Sequence, residues 1–172
     1  GTNYVLNKAT STWTPKTWNG LTDFRGTRVW TDGENIYYSL GENQYVLNKA
    51  TSTWSSKSWS GLTNLYGDYI WTDGENIYYS RMATHYVLNK ATSTWSSKTW
   101  SGFNPTDGSR VWTDGEAIYY SNGTTHYVLN KATSTWATKT WSGLTDFTSA
   151  RVWTDGENIY YSLGENQYVL NK

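Results

Sequence analysis

The chain has no cysteine, two prolines, two histidines and one methionine among its 172 residues. The missing cysteine excludes disulfides and thiolate metal sites, and it leaves the redox compartment undecided. Net charge is zero and only 16% of residues are charged. No basic excess exists to attract nucleic acid or an anionic membrane surface. No apolar run approaches the roughly 20 residues that a membrane-spanning helix needs. The opening residues lack a basic stretch followed by an apolar one, so no signal peptide is expected. A 3.6-residue apolar period is absent too, which removes amphipathic helices from the expected elements.

What the chain has instead is aromatic side chains and repetition. It carries 12 Trp and 15 Tyr against 3 Phe. Trp and Tyr join a large apolar body to a polar tip, which suits strands packed on both faces and also suits sugar-binding surfaces. Residues 30–39 read Trp-Thr-Asp-Gly-Glu-Asn-Ile-Tyr-Tyr-Ser. The same ten residues return at 71–80, 112–121 and 153–162, always 41 residues on, with Ala117 in place of Asn as the one change. A fixed period of this kind dictates the architecture.

Within one period the signals are all β. Tyr-Val-Leu at 4–6 reads as a short strand, and Asn-Lys-Ala-Thr-Ser at 7–11 as a turn. A second strand runs from Trp13 to Trp18 and stops at Asn19-Gly20. A variable stretch leads to a third strand at 28–31, and Asp32-Gly33 is the expected tight hairpin turn, since glycine accepts the positive φ required. Ile36-Tyr37-Tyr38 forms a fourth strand, followed by a loop at 40–43 that returns to Tyr45-Val46-Leu47. Apolar residues at consecutive positions of these strands call for cover on both faces. A radial stack of four-stranded sheets provides it, and the period falls near that of four-stranded propeller blades, roughly 40–50 residues. The expected fold is an all-β propeller of four-stranded antiparallel blades, one domain over 1–172. A hairpin solenoid like the choline-binding repeats is the rival fold; its units have one hairpin each, whereas two different hairpins alternate here.

The run Ile36-Tyr37-Tyr38 followed by Leu47-Asn48-Lys49-Ala50-Thr51-Ser52-Thr53-Trp54 resembles the kelch repeat, with its Ile-Tyr strand and its later tryptophan. Trp54 stands seven residues after Leu47, the spacing from tyrosine to tryptophan in kelch, and Trp71-Thr72-Asp73-Gly74 matches the innermost strand and its turn. The chain departs from that pattern where the kelch double glycine would stand (Ser39-Leu40, Ser80-Arg81, Ser121-Asn122) and in having Leu-Asn for Tyr-Asp. The resemblance implies inner strands at 28–31, second strands at 35–39, third strands at 44–48 and outer strands at 53–59. The chain then opens on a third and an outer strand and finishes on inner, second and third strands. One Tyr-Val-Leu-Asn-Lys, at 4–8 or 168–172, becomes surplus, and one of the two, at a chain end, is expected to be displaced or disordered. Joining the ends into a mixed blade removes a free edge. Four blades close as a four-bladed monomer, or as an eight-bladed homodimer with exchanged ends. The dimer is favoured because near-identical blade interfaces propagate until rotation closes them.

Differences among the copies concentrate in two places: 40–44 with its counterparts 81–85, 122–126 and 163–167, and the connections 22–28, 63–69, 104–110 and 145–151. In an up-and-down sheet both emerge at the same end, opposite the invariant turns, which makes that end a candidate binding face. Its ligand-binding candidates are Arg25, Arg28, Tyr66, Tyr69, Arg81, His85, Arg110, His126 and Arg151, with Phe24 and Phe147 beside them. His85 and His126 occupy the slot held by Gln44 and Gln167, which argues for a polar contact and against metal. Asp32 and Glu34 recur identically in every repeat, whereas acid–base catalysis needs two carboxyls in different environments. No catalytic residue, metal site or cofactor is expected. The reading is a non-catalytic binding scaffold that partners with itself, designed or recently amplified, with a protein or glycan ligand and neither nucleic acid nor membrane. The alternatives are a lectin-like propeller using Trp and Tyr loop aromatics to bind carbohydrate, and an engineered scaffold with no ligand.

Overall fold

The computed structural model describes residues 3–7, 9–21, 24, 29–106, 110–143, 146–147, 151–154, 158–163 and 165–170, without the side chains of Asp68, Arg151, Trp153, Thr154 and Leu163. The chain is all-β, built mainly of four-stranded antiparallel sheets, one of which takes on a short fifth strand. It forms two compact units, residues 1–68 with 90–94, and residues 69–89 with 95–172.

The first unit begins with a two-stranded hairpin, β1 (Asn3–Asn7) and β2 (Thr12–Lys16). A full sheet follows in the order β3 (Val29–Thr31), β4 (Ile36–Gly41), β5 (Asn43–Asn48) and β6 (Thr53–Ser56). A short strand, β7 (Leu65–Tyr66), adds to the end of β4 by pairing Leu40 with Tyr66 and Gly41 with Leu65.

The second unit repeats the plan. Its first sheet is β8 (Ile70–Thr72), β9 (Ile77–Arg81), β10 (Thr84–Asn89) and β11 (Thr94–Ser97). Its second is β12 (Val111–Thr113), β13 (Ile118–Asn122), β14 (Thr125–Asn130) and β15 (Thr135–Lys139). Its third has three strands, β16 (Arg151–Thr154), β17 (Ile159–Leu163) and β18 (Asn166–Leu170). Both copies of Tyr-Val-Leu form strands, β1 paired with β2 in a two-stranded sheet of its own and β18 paired with β17.

Both faces of each four-stranded sheet are covered, as consecutive apolar residues require. In the first full sheet Tyr37 and Tyr38 are 5% and 3% exposed, although they point to opposite faces. Trp30 stacks on Tyr37 at 4.4 Å between ring centroids, and Trp59 closes over both. On the other face Tyr38, Leu47 and Trp54 gather Trp18, Leu21 and Phe24. Successive sheets of the second unit stack face to face: Trp71, Tyr78 and Trp100 pack with Ile118, Tyr120, Leu129 and Trp136, and Trp112 and Tyr119 pack with Ile159.

Three boundaries differ from the sequence reading, each for a local reason. The outer strand stops at Ser56 and not at Trp59, because Trp59 leaves the sheet edge to cover Trp30 and Tyr37. The Asp-Gly turn is a four-residue loop, since Thr31 pairs with Ile36. Asp32 holds that loop: Oδ1 accepts the N–H groups of Glu34 and Asn35 at 2.9 and 2.6 Å, while Gly33 supplies a φ of +94°. The tight turn lies instead in the variable segment, where Leu40 pairs with Asn43, Arg81 with Thr84 and Asn122 with Thr125.

Candidate recognition face

The antiparallel order puts two kinds of connection at opposite ends of each four-stranded sheet. At one end are the four-residue Asp-Gly loop and the Asn-Lys-Ala-Thr-Ser turn. The latter is an Asx turn in which Asn48 Oδ1 accepts the N–H groups of Ala50 and Thr51 at 3.0 and 3.2 Å. At the other end lie the two segments that differ between repeats.

These variable segments meet each other. In the first unit β7 lies along the end of β4, and the Gln44 amide donates to the Gly41 carbonyl at 2.5 Å and the Thr63 carbonyl at 3.5 Å. In the second unit the Arg81 guanidinium stands 5.5 Å from the centre of the Tyr69 ring, and Tyr69 meets Tyr79 edge-on. Arg110 donates to the Asn122 side chain. Phe147 donates its N–H to the Gly123 carbonyl at 2.9 Å and packs edge-on against His126 at 4.7 Å. A hydrogen bond of 2.8 Å from the Tyr161 hydroxyl to the Asp146 carbonyl ties the last connection to β17.

Of the residues singled out from the sequence, Tyr66, Tyr69 and Arg110 are half-buried at this end and Arg81 is exposed. His85 and His126 lie inside strands β10 and β14 and not in loops, and only 5% and 4% of their surface is exposed. Burial pushes the His85 imidazole below its ordinary value, and neither ring nitrogen meets a hydrogen-bond partner among the described residues. Arg25 and Arg28 lie outside the described residues, as does the Arg151 side chain. Sequence reasoning missed Leu65, fully buried in β7, because among the described residues its strand occurs at one connection only.

The repeated carboxylates are held as structural groups. Asp32, Asp73 and Asp114 each accept a tyrosine hydroxyl, from Tyr37 and Tyr78 at 2.8 Å and from Tyr119 at 3.1 Å. Burial works to raise the carboxyls of Asp32 and Asp73, but the backbone and tyrosine hydrogen bonds outweigh it and hold both below the usual carboxylate value. Burial and the neighbouring carboxylate push the partner Tyr119 up to about 12. The same set of bonds in three sheets gives three like environments. Compared with known proteins, the chain matches no family model and no curated protein.

Proposed function

We propose that this chain is a non-catalytic, self-assembling binding scaffold built from kelch-like propeller blades, amplified recently or by design from one blade. The observation that carries the reading is the division of each sheet. Invariant Asx and Asp-Gly turns hold one end, whereas the variable segments converge in pairs on the other (β4 with β7, Arg81 with Tyr69, Arg110 with Asn122, Phe147 with Gly123). Variation confined to one end, on a fixed scaffold, is how recognition loops are carried. The aspartates support a role without catalysis, because each is engaged by its own loop and tyrosine. Face-to-face stacking of near-identical sheets supports self-association, since each sheet presents the surface that the next one packs against.

Two measurements test this. Native mass spectrometry over a range of concentrations is expected to give about twice the chain mass of 19.7 kDa; a mass of 19.7 kDa throughout removes self-assembly. A variant with 81–85 and 122–126 replaced by the residues of 40–44 is expected to keep its mass and its folded circular dichroism spectrum, and unfolding of that variant overturns the division between scaffold and face. A glycan array with the wild type and Tyr66→Ala addresses the carbohydrate alternative. Arg81 over the Tyr69 ring leaves that tyrosine less of a free stacking platform, so a blank array is expected.

A further inference from the structure

We infer that the cleft beside Gly143 is a socket for Trp13 of a second copy of this chain, an inference that rests on the self-association proposed above. The chain displays the filled form of this socket. Trp54 is buried in a cage that includes Trp18, Phe24, Tyr38 and Leu47, with Trp18 edge-on at 6.1 Å and Phe24 at 5.5 Å. The Trp54 carbonyl lies so close to Gly20 that a Cβ there would stand 2.2 Å from it. Two backbone bonds fix the register: Asn19 N–H donates to the Ser52 carbonyl at 3.0 Å, and Trp54 N–H donates to the Asn19 carbonyl at 2.8 Å. The second unit makes the same arrangement around Trp136. Trp100 is 5.9 Å away, a Cβ on Gly102 would meet the Trp136 carbonyl at 2.2 Å, and Ser101 exchanges the two bonds with Ser134 and Trp136 at 3.2 and 2.9 Å.

Gly143 is the next glycine of this series. Its φ of +84° matches +83° at Gly20 and +84° at Gly102, yet a Cβ on Gly143 would meet nothing within 4 Å. Beside it lies a cleft of about 400 Å³ whose walls include Trp141, Ser142, Phe147, Tyr161 and Leu170. Three periods earlier these positions are Trp18, Asn19, Phe24, Tyr38 and Leu47, the surroundings of Trp54. These walls repeat those around Trp54, and no indole fills the cleft among the described residues. The Lys57 and Lys98 amines donate to the Ser93 and Ser134 hydroxyls at 2.7 and 2.8 Å. Lys139, 4.8 Å from the Trp141 ring, has no such serine among the described residues.

The matching plug stands exposed on β2. Trp13 is 62% exposed, whereas its counterparts Trp54, Trp95 and Trp136 are 5%, 2% and 3% exposed. Ser11, with φ +52°, already holds the left-handed conformation of Ser52 at +55° and Ser134 at +53°. The hairpin is therefore formed before it docks. Tyr4, Val5 and Leu6 of β1 repeat Tyr168, Val169 and Leu170 of β18, and the first three are 55%, 48% and 40% exposed. The hairpin enters by replacing β18, setting Leu6, Val5 and Tyr4 of one copy opposite Ile159, Tyr160 and Tyr161 of the other, as Leu170, Val169 and Tyr168 are now. The backbone pairs that β18 gives up are remade in the same register. Ser142 then donates to the Ser11 carbonyl and Lys139 to the Ser11 hydroxyl. Made reciprocally, the exchange closes a two-fold dimer and takes a tryptophan out of water at each junction.

The test compares the wild type with Trp13→Ala and Gly143→Asn by sedimentation over a range of concentrations. Trp13 is exposed in the single chain, so its loss leaves folding intact. Asparagine tolerates a positive φ while its Cβ fills the space of the incoming carbonyl. Both variants are expected to weaken the dimer at least ~30-fold, the factor of an interface hot spot, with an unchanged circular dichroism spectrum. A wild-type dimer that Trp13→Ala leaves at full strength overturns the socket and spares self-association. A wild type that stays at 19.7 kDa overturns both.

Discussion

Trp71 donates its indole N–H to the hydroxyl of Ser80 across 3.0 Å, and both residues are buried. The two stand nine residues apart, on either side of the Asp-Gly loop, and the bond recurs from Trp30 to Ser39 and from Trp112 to Ser121. It locks the first strand of a sheet to the second beneath a layer of stacked rings, where water does not reach.

Ser80→Ala removes the acceptor, leaves no appreciable cavity and strands a buried N–H. The expected cost is about 1–3 kcal/mol. Urea unfolding measures it as a lower midpoint with an unchanged slope. Ser96→Ala on the exposed outer strand is the control, with an expected change of under about 0.5 kcal/mol.

Asp73 shows how the loop depends on pH. Its carboxylate accepts from Glu75 N–H, Asn76 N–H and the Tyr78 hydroxyl at 3.0, 2.7 and 2.8 Å, which together overcome burial and lower its pKa from 3.8. A lowered folded-state pKa contributes stability that is fully present above the unfolded value and is lost as pH falls through the folded one. The melting midpoint is expected to drop on acidification below about pH 4. Asp73→Asn is expected to be less stable at neutral pH and to show a shallower acid slope; an identical slope refutes the assignment.

Much of the fold was legible in the sequence because the residues that build it repeat. The 41-residue period, the paired Tyr37 and Tyr38 and the Asp-Gly punctuation each have a local cause that one repeat displays in full. The turn geometry was less legible. Asp32-Gly33 resembles a two-residue hairpin, and only the carboxylate's reach to Glu34 and Asn35 makes it a four-residue loop. Ser11, Ser52, Ser93 and Ser134 all hold positive φ, a conformation serine does not advertise. The face itself was partly legible. Internal comparison locates the variable segments, but the inward aim of His85 and His126 follows from their strand register, which a one-residue shift would reverse.

His85 provides a separate test near neutral pH. Burial lowers its pKa from 6.5, so protonation is disfavoured in the folded state. Stability is then greatest above the unfolded value of 6.5 and declines as pH falls from there toward the folded value. His85→Gln installs the residue found at Gln44. It is expected to abolish the decline between about pH 6.5 and 5 while leaving the acid slope from the aspartates in place. Thermal unfolding as a function of pH reads both, and a decline that survives the substitution excludes His85 as its source.

Met82 occupies the tip of the tight turn between β9 and β10 with a φ of +53°, where Gly41 and Gly123 have +60° and +58°. A side chain in the left-handed region costs about 1–2 kcal/mol, because Cβ approaches the following carbonyl oxygen. Met82 is also 70% exposed, so it returns little packing energy for that strain. Met82→Gly relieves the strain but gives the unfolded chain more freedom, an opposing effect of about 0.5–1 kcal/mol. The net expectation is a stabilisation of about 0.5–1 kcal/mol, measured by urea unfolding. Gly41→Met in the first sheet is the mirror experiment, expected to destabilise by a similar amount. If Met82→Gly instead destabilises the protein, the methionine side chain has a partner in the assembled form, and its exposure in the single chain marks a contact surface.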